Sequence, residues 1–123
     1  MAKIESFQDL EVWQHAHQLT LLVYRITKDF PSEEKFGLVS QMRRAAVSVA
    51  ANIAEGFKRQ GKPDKVHFYN ISEASHEELK YYFILSQDLG FIPSSAEFLS
   101  QSDIVSKMLY RLIEKIKTPY SRQ

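Results

Sequence analysis

Cationic side chains crowd one stretch of this 123-residue chain. Between residues 37 and 65 six Lys/Arg (Arg43, Arg44, Lys58, Arg59, Lys62 and Lys65) stand against two Asp/Glu. Cations grouped in this way can neutralise phosphates, which makes Arg44, Lys58, Arg59, Lys62 and Lys65 the candidate contacts to RNA or DNA. On a helix, Arg44, Lys58 and Lys62 share an outer face away from the apolar stripe. Two other readings compete. Lys58, Arg59 and Lys62 could simply complement the C-terminal dipole of a helix and keep the surface solvated. The patch could also meet an acidic protein.

Other constellations carry less chemistry. Glu73-Ala-Ser-His76 has the Glu-x-x-His spacing of di-metal bundles, which need two such units and two further carboxylates. No second unit occurs, and Glu73 points away from the interior of a regular helix, so no metal is expected. His76 then reads as an exposed or interface histidine. His15 and His17 occupy different faces of one helix and do not converge. The absence of cysteine excludes thiolate nucleophiles, disulfides and Cys-ligated zinc. No glycine-rich phosphate loop or Ser/His/Asp arrangement is legible. The expectation is a non-enzyme with no catalytic residue and no cofactor.

The elements that must position these residues are marked by punctuation. Phe30-Pro31, Gly61-Lys62-Pro63 and Gly90-Phe91-Ile92-Pro93 divide the chain into four helices, near 8–29, 34–60, 64–89 and 95–117. Ser94 to Glu97 has capping-box spacing, and Ser6 to Asp9 is a weaker version with the shorter acid. Apolar residues recur at steps of three and four. The first seam is Val12, Ala16, Leu19, Val23, Ile26, Phe30. The second is Val39, Met42, Ala46, Val49, Ile53, Phe57. In the third helix Phe68, Ile71, Ser75, Glu78, Tyr82, Leu85 and Leu89 follow the same rhythm, and Phe98 to Ile116 repeats it in the fourth. No period-2 alternation competes. One all-α domain spanning 1–123, an up-down-up-down antiparallel four-helix bundle, is predicted.

Two positional consequences follow. Glu78 falls in the middle of the third seam, where a lone carboxylate would be costly, and Arg43 on the second helix is level enough to pair with it. The first helix carries a second stripe with Leu10, Trp13, His17, Leu21 and Tyr24, which calls for a wrapped terminus or another subunit. Small residues in the second helix, Gly56 among them, allow close approach of a neighbour. Leu10, Trp13, Tyr24 and Gly56 are therefore the candidate homo-oligomer contacts. Charge alternates along the chain, −2 over residues 1–36, +4 over 37–65, −3 over 66–92 and +2 over 93–123. Acids near the start where a signal peptide needs an apolar run, and no stretch of roughly 18 apolar residues, lead to the expectation of a cytoplasmic protein outside the membrane.

With the second helix placed, the chain resembles the four-helix bundle proteins encoded in intervening sequences of bacterial 23S ribosomal RNA genes. The residues carrying the resemblance are Asp9 to Trp13, Phe30 to Leu38, Ser40 to Ser48, Asn52 to Gly56, Ser75 with Glu78-Leu79, and Leu89 to Ile92. Relatives include the accessory variability proteins of diversity-generating retroelements. The resemblance implies a ring-like homo-oligomer, often a pentamer, with nucleic acid or a reverse transcriptase as partner. Relatives often have proline where Ala50 stands, so a kink in the second helix should be weaker here. Retroelement relatives are also strongly basic, unlike this chain at net +1.

Overall fold

The computed structural model describes residues 3–118, and local chemistry sets its helix ends. Helix α1 (Glu11–Thr27) follows one 3-10 turn, Phe7–Asp9. There Ser6 Oγ accepts from the Gln8 amide at 3.2 Å, while Asp9 Oδ2 accepts from the Ser6 and Glu5 amides at 3.1 and 2.9 Å. The shorter acid does close a capping box. Helix α2 (Leu38–Lys58) follows a second 3-10 turn, Ser32–Glu34, and runs through Ala50 without a break. Helix α3 (Lys62–Asp88) carries Pro63 in its first turn, where a missing N–H is harmless. It closes on Gly90 at φ 82°, with the Gly90 and Phe91 amides donating to Gln87 and Ser86 carbonyls, each at 2.9 Å. Those two bonds are a Schellman closure, available because glycine has no Cβ to strain. At α4 (Ala96–Lys117) the expected box is incomplete. Ser94 Oγ accepts from the Ala96 amide at 3.1 Å, but the Gln87 side chain, not Glu97, meets the Ser95 amide at 2.7 Å.

α1 packs on α2 and α4, α3 packs on the same two, and neither diagonal pair touches. This is an antiparallel four-helix bundle with no strand among the described residues. The α1/α2 edge and the α3/α4 edge are consequently opposite sides of the molecule. The core lies in two apolar clusters. One, toward the α1–α2 link, gathers Val23, Phe30, Met42, Leu79 and Phe83. The other, toward the α2–α3 turn, gathers Val12, Ile53, Tyr69, Leu109 and Ile113. Between them lies a polar waist. Thr20 Oγ1 donates to the Ala46 carbonyl at 3.2 Å, Ser72 Oγ donates to the Val49 carbonyl at 2.7 Å, and the Ser48 and Ser75 hydroxyls meet at 2.7 Å. Each buried hydroxyl so paired escapes the desolvation penalty an orphan would carry.

The expected seam of α3 is corrected. Its buried residues are Tyr69, Ser72, Ser75, His76, Leu79, Phe83 and Ser86, a stripe about 100° round from the predicted one. Ile71, Glu78 and Leu89 are exposed. Packing against Ala45, Ala46, Val49 and Gly56 of α2 explains the rotation. Small side chains on both helices let the backbones approach, and serines that bond backbone carbonyls or another hydroxyl suit that close contact better than isoleucine. The rotation also moves Glu78 into water, sparing a buried charge.

Candidate nucleic-acid interface

The antiparallel α2–α3 hairpin brings the end of one helix beside the start of the next, so Lys58, Arg59, Lys62 and Lys65 gather round a three-residue link. The structure sorts them by partner. The Lys65 ammonium turns inward, donating to the Gly56 and Phe57 carbonyls at 3.1 and 2.8 Å. These are terminal carbonyls of α2 with no helical N–H of their own, at the negative end of the helix dipole. Loss of water there pushes the Lys65 pKa below its ordinary value. Arg59 is held by Glu55 at 2.8 Å, with its guanidinium 4.6 Å from the centre of the Phe68 ring. Lys58 and Lys62 are exposed and have no ion-pair partner among the described residues. Val66 and Ile116 pack against the same core cluster, which places the last turn of α4, with Lys115 and Lys117, at this end too.

Arg44 is far up α2 and belongs to a different surface. It bonds Gln41 Oε1 at 3.0 Å and reaches Glu78 at 3.5 Å, both charged side chains being about half exposed. The structure thus does not bring Arg43 to Glu78. Arg43 Nε donates to Thr27 Oγ1 at 2.9 Å, Nη2 donates to the Tyr24 carbonyl at 3.4 Å, and the guanidinium lies 4.6 Å from the centre of the Tyr24 ring. Arg43 therefore serves the C-terminal end of α1, as Lys65 serves that of α2. Glu78 takes the neighbouring arginine because the rotation of α3 carries it outward.

The four expected oligomer contacts separate in the same way. The Phe7–Asp9 turn wraps Leu10 and Trp13, the latter edge-on to Phe7 at 5.1 Å and stacked on His17 at 4.8 Å. Gly56 is buried within the chain, its missing Cβ giving room to the Tyr69 ring, and does not face a neighbour. Tyr24, with Leu21 beside it, remains exposed. The residues that spacing did not single out are Lys35 and Phe36, which flank Tyr24 in an open groove with Arg43, Arg44 and Val47. Phe36 sits outside every seam, and an aromatic placed off the apolar stripe was the available signal.

His76 is buried in the waist, not exposed or at an interface. Its Nε2 lies 2.8 Å from the Ser102 carbonyl, so Nε2 carries the proton and Nδ1 is an acceptor without a partner. Burial lowers its pKa below the ordinary histidine value. No group of three or more His, Cys, Asp or Glu among the described residues could hold a metal, and no described helix is long and apolar enough to cross a membrane.

An antiparallel four-helix bundle with a serine-lined waist, a cationic turn and helix-end cations defines the class of protein. The family model described as 23S rRNA-intervening sequence protein matches residues 8–111, and the chain belongs to that family. Among solved structures it is similar to a protein with unknown function from the S23 ribosomal protein family of Bacteroides thetaiotaomicron. The two share 23% identity at a TM-score of 0.77, over 84% of this chain and 95% of that one, a likeness of fold. No curated protein sequence matches the chain.

Proposed function

We propose that the protein is a non-enzymatic, self-associating bundle whose cationic end binds nucleic acid through its phosphates. The observation that carries this reading is the exposure of Lys58 and Lys62 at the α2–α3 turn with no carboxylate paired to either. Lys115 stands at the same end and is likewise without an ion pair among the described residues. A single copy offers only a few phosphate contacts. A ring, as the family resemblance implies, would repeat them and raise the local potential.

Fluorescence anisotropy with single-stranded RNA and DNA across a salt series tests the reading. Three phosphate contacts give a slope of log affinity on log salt of about −2, or more than tenfold weakening from 50 to 200 mM salt. Lys58→Glu, Lys62→Glu and Lys115→Glu together should abolish binding while leaving the thermal melt near the parent's. Affinity unchanged in that triple variant, or insensitive to salt, would remove the reading.

A further inference from the structure

Two apolar surfaces lie on opposite sides of the bundle, and their charges are opposite. On the α1/α2 side a groove of about 650 Å³ holds Tyr24, Phe36 and Val47 with Lys35, Arg43 and Arg44, and no carboxylate lines it. Phe36 is 89% exposed, the barest large apolar side chain of the described residues. On the α3/α4 side Tyr81 and Ile84 line a groove with Glu77 and Asp103, and an adjoining groove adds Glu73 and Tyr110. Tyr81 is 56% exposed and Tyr110 60%. Three carboxylates and one amine, Lys80, line that side, against three cations and no acid on the other.

A monomer seldom leaves two such faces to water. We propose that the faces bind each other between copies, the α1/α2 groove of one copy receiving the Tyr81–Ile84 edge of α3 from the next. A second copy is the occupant because each face finds its complement in the other. The α1/α2 face against itself would set cations on cations, and the α3/α4 face against itself would set acids on acids, arrangements that cost binding energy. Leu21 and Val47, which adjoin and line the cationic groove, give a nucleobase no aromatic surface to stack on. Contact between unlike faces is head-to-tail, and such contacts close into a ring where the rotation permits. This inference rests on the self-association in the proposed function and names its surfaces. It is independent of nucleic acid.

Paired variants test it by light scattering. Phe36→Glu spoils only the α1/α2 face, and Ile84→Lys spoils only the α3/α4 face; both side chains are exposed, so both variants should fold, which circular dichroism checks. The parent should be larger than a dimer. Each variant alone should run at the 14.3 kDa chain mass, and an equimolar mixture should form a heterodimer and nothing larger, because one good pair of faces remains. A monomeric parent overturns the proposal. So does a dimer of either variant alone, which marks contact between like faces, or a mixture that stays monomeric. RNA titrated against the same variants reads the Lys58 end separately: its failure leaves these masses untouched. Loss of RNA binding in Phe36→Glu with a monomeric parent would assign the groove to nucleic acid and overturn the inference.

Discussion

The Tyr69 ring lies so close to the backbone of Gly56 that a Cβ there would sit 2.6 Å from its Cε1 and 2.8 Å from its Cδ1. No side chain fits in that gap unless the ring moves, and the ring is itself buried in the core. Gly56→Ala improves helix propensity by about 1 kcal/mol yet forces an overpacked contact worth about 1–3 kcal/mol. A net loss of about 1 kcal/mol in urea unfolding is expected. Tyr69→Leu should cost less in the Gly56→Ala background than in the parent, since the smaller side chain relieves the clash. Strict additivity of the two would place the strain elsewhere.

Arg43 and Glu78 should behave as strangers. Thr27 is buried, and its hydroxyl both accepts from Arg43 and donates to the Val23 carbonyl at 2.7 Å. Thr27→Val removes both bonds and leaves a charged donor without its acceptor, a loss of about 1.5–3 kcal/mol. Glu78→Gln removes only a half-exposed contact at 3.5 Å and should change stability by about 0.5 kcal/mol or less. Thermal melts of both variants check this; a Glu78→Gln loss as large as that of Thr27→Val would restore the cross-helix pair.

Much of the fold was legible because helix ends are written locally. Gly90 and Pro93 announce the end of α3, and the three-and-four spacing of Val12 to Phe30 names the buried side of α1 outright. The side of α3 was not legible in that way. Its core positions are serines and a histidine, which a count of apolar residues ranks as surface, while exposed Ile71 and Leu89 rank as core. Only the partner carbonyls on α2 make Ser72 a core residue, and those lie 23 positions away in sequence. The candidate site was half legible for the same kind of reason. A cluster of cations is visible in the sequence, but Arg43 and Lys65 are consumed by helix-end carbonyls, and a carbonyl has no letter. Which cations remain for a partner emerges only from packing.

His76 makes stability depend on pH. Burial opposes its protonated form, and the nearby Lys80 charge opposes it further; the Ser102 carbonyl and Glu77 work the other way but do not prevail. The unfolded chain takes up this proton near pH 6.5, the folded protein only at lower pH. Below about pH 6.5 the unfolded state therefore binds more protons, and stability falls with acidification until the folded histidine also titrates, at most about 1.4 kcal/mol per pH unit. Urea midpoints at pH 7.5, 6.5 and 5.5 should drop more steeply for the parent than for His76→Gln, in which the exposed His15 and His67 and all carboxylates are retained. Parallel profiles would mean that the ring charges within the fold as readily as in water.

Lys65 and Lys62 lie three residues apart and should answer opposite measurements. Lys65→Met keeps an apolar stem but takes the cation from the α2 carbonyls, and a charge at a helix C-terminus contributes about 0.3–1 kcal/mol, up to about 2 when partly buried. A stability loss of about 1 kcal/mol is expected, with RNA affinity little changed, because the ammonium already faces the protein. Lys62→Met removes an exposed charge with no ion partner among the described residues. It should leave the melt unchanged and flatten the salt slope by about 0.7, one phosphate's share on a single strand. If Lys65→Met instead spared stability and flattened the slope as Lys62→Met does, the ammonium would have to leave the Phe57 carbonyl to reach a phosphate, and the division between helix-end and partner-facing cations would fail at its best-defined member.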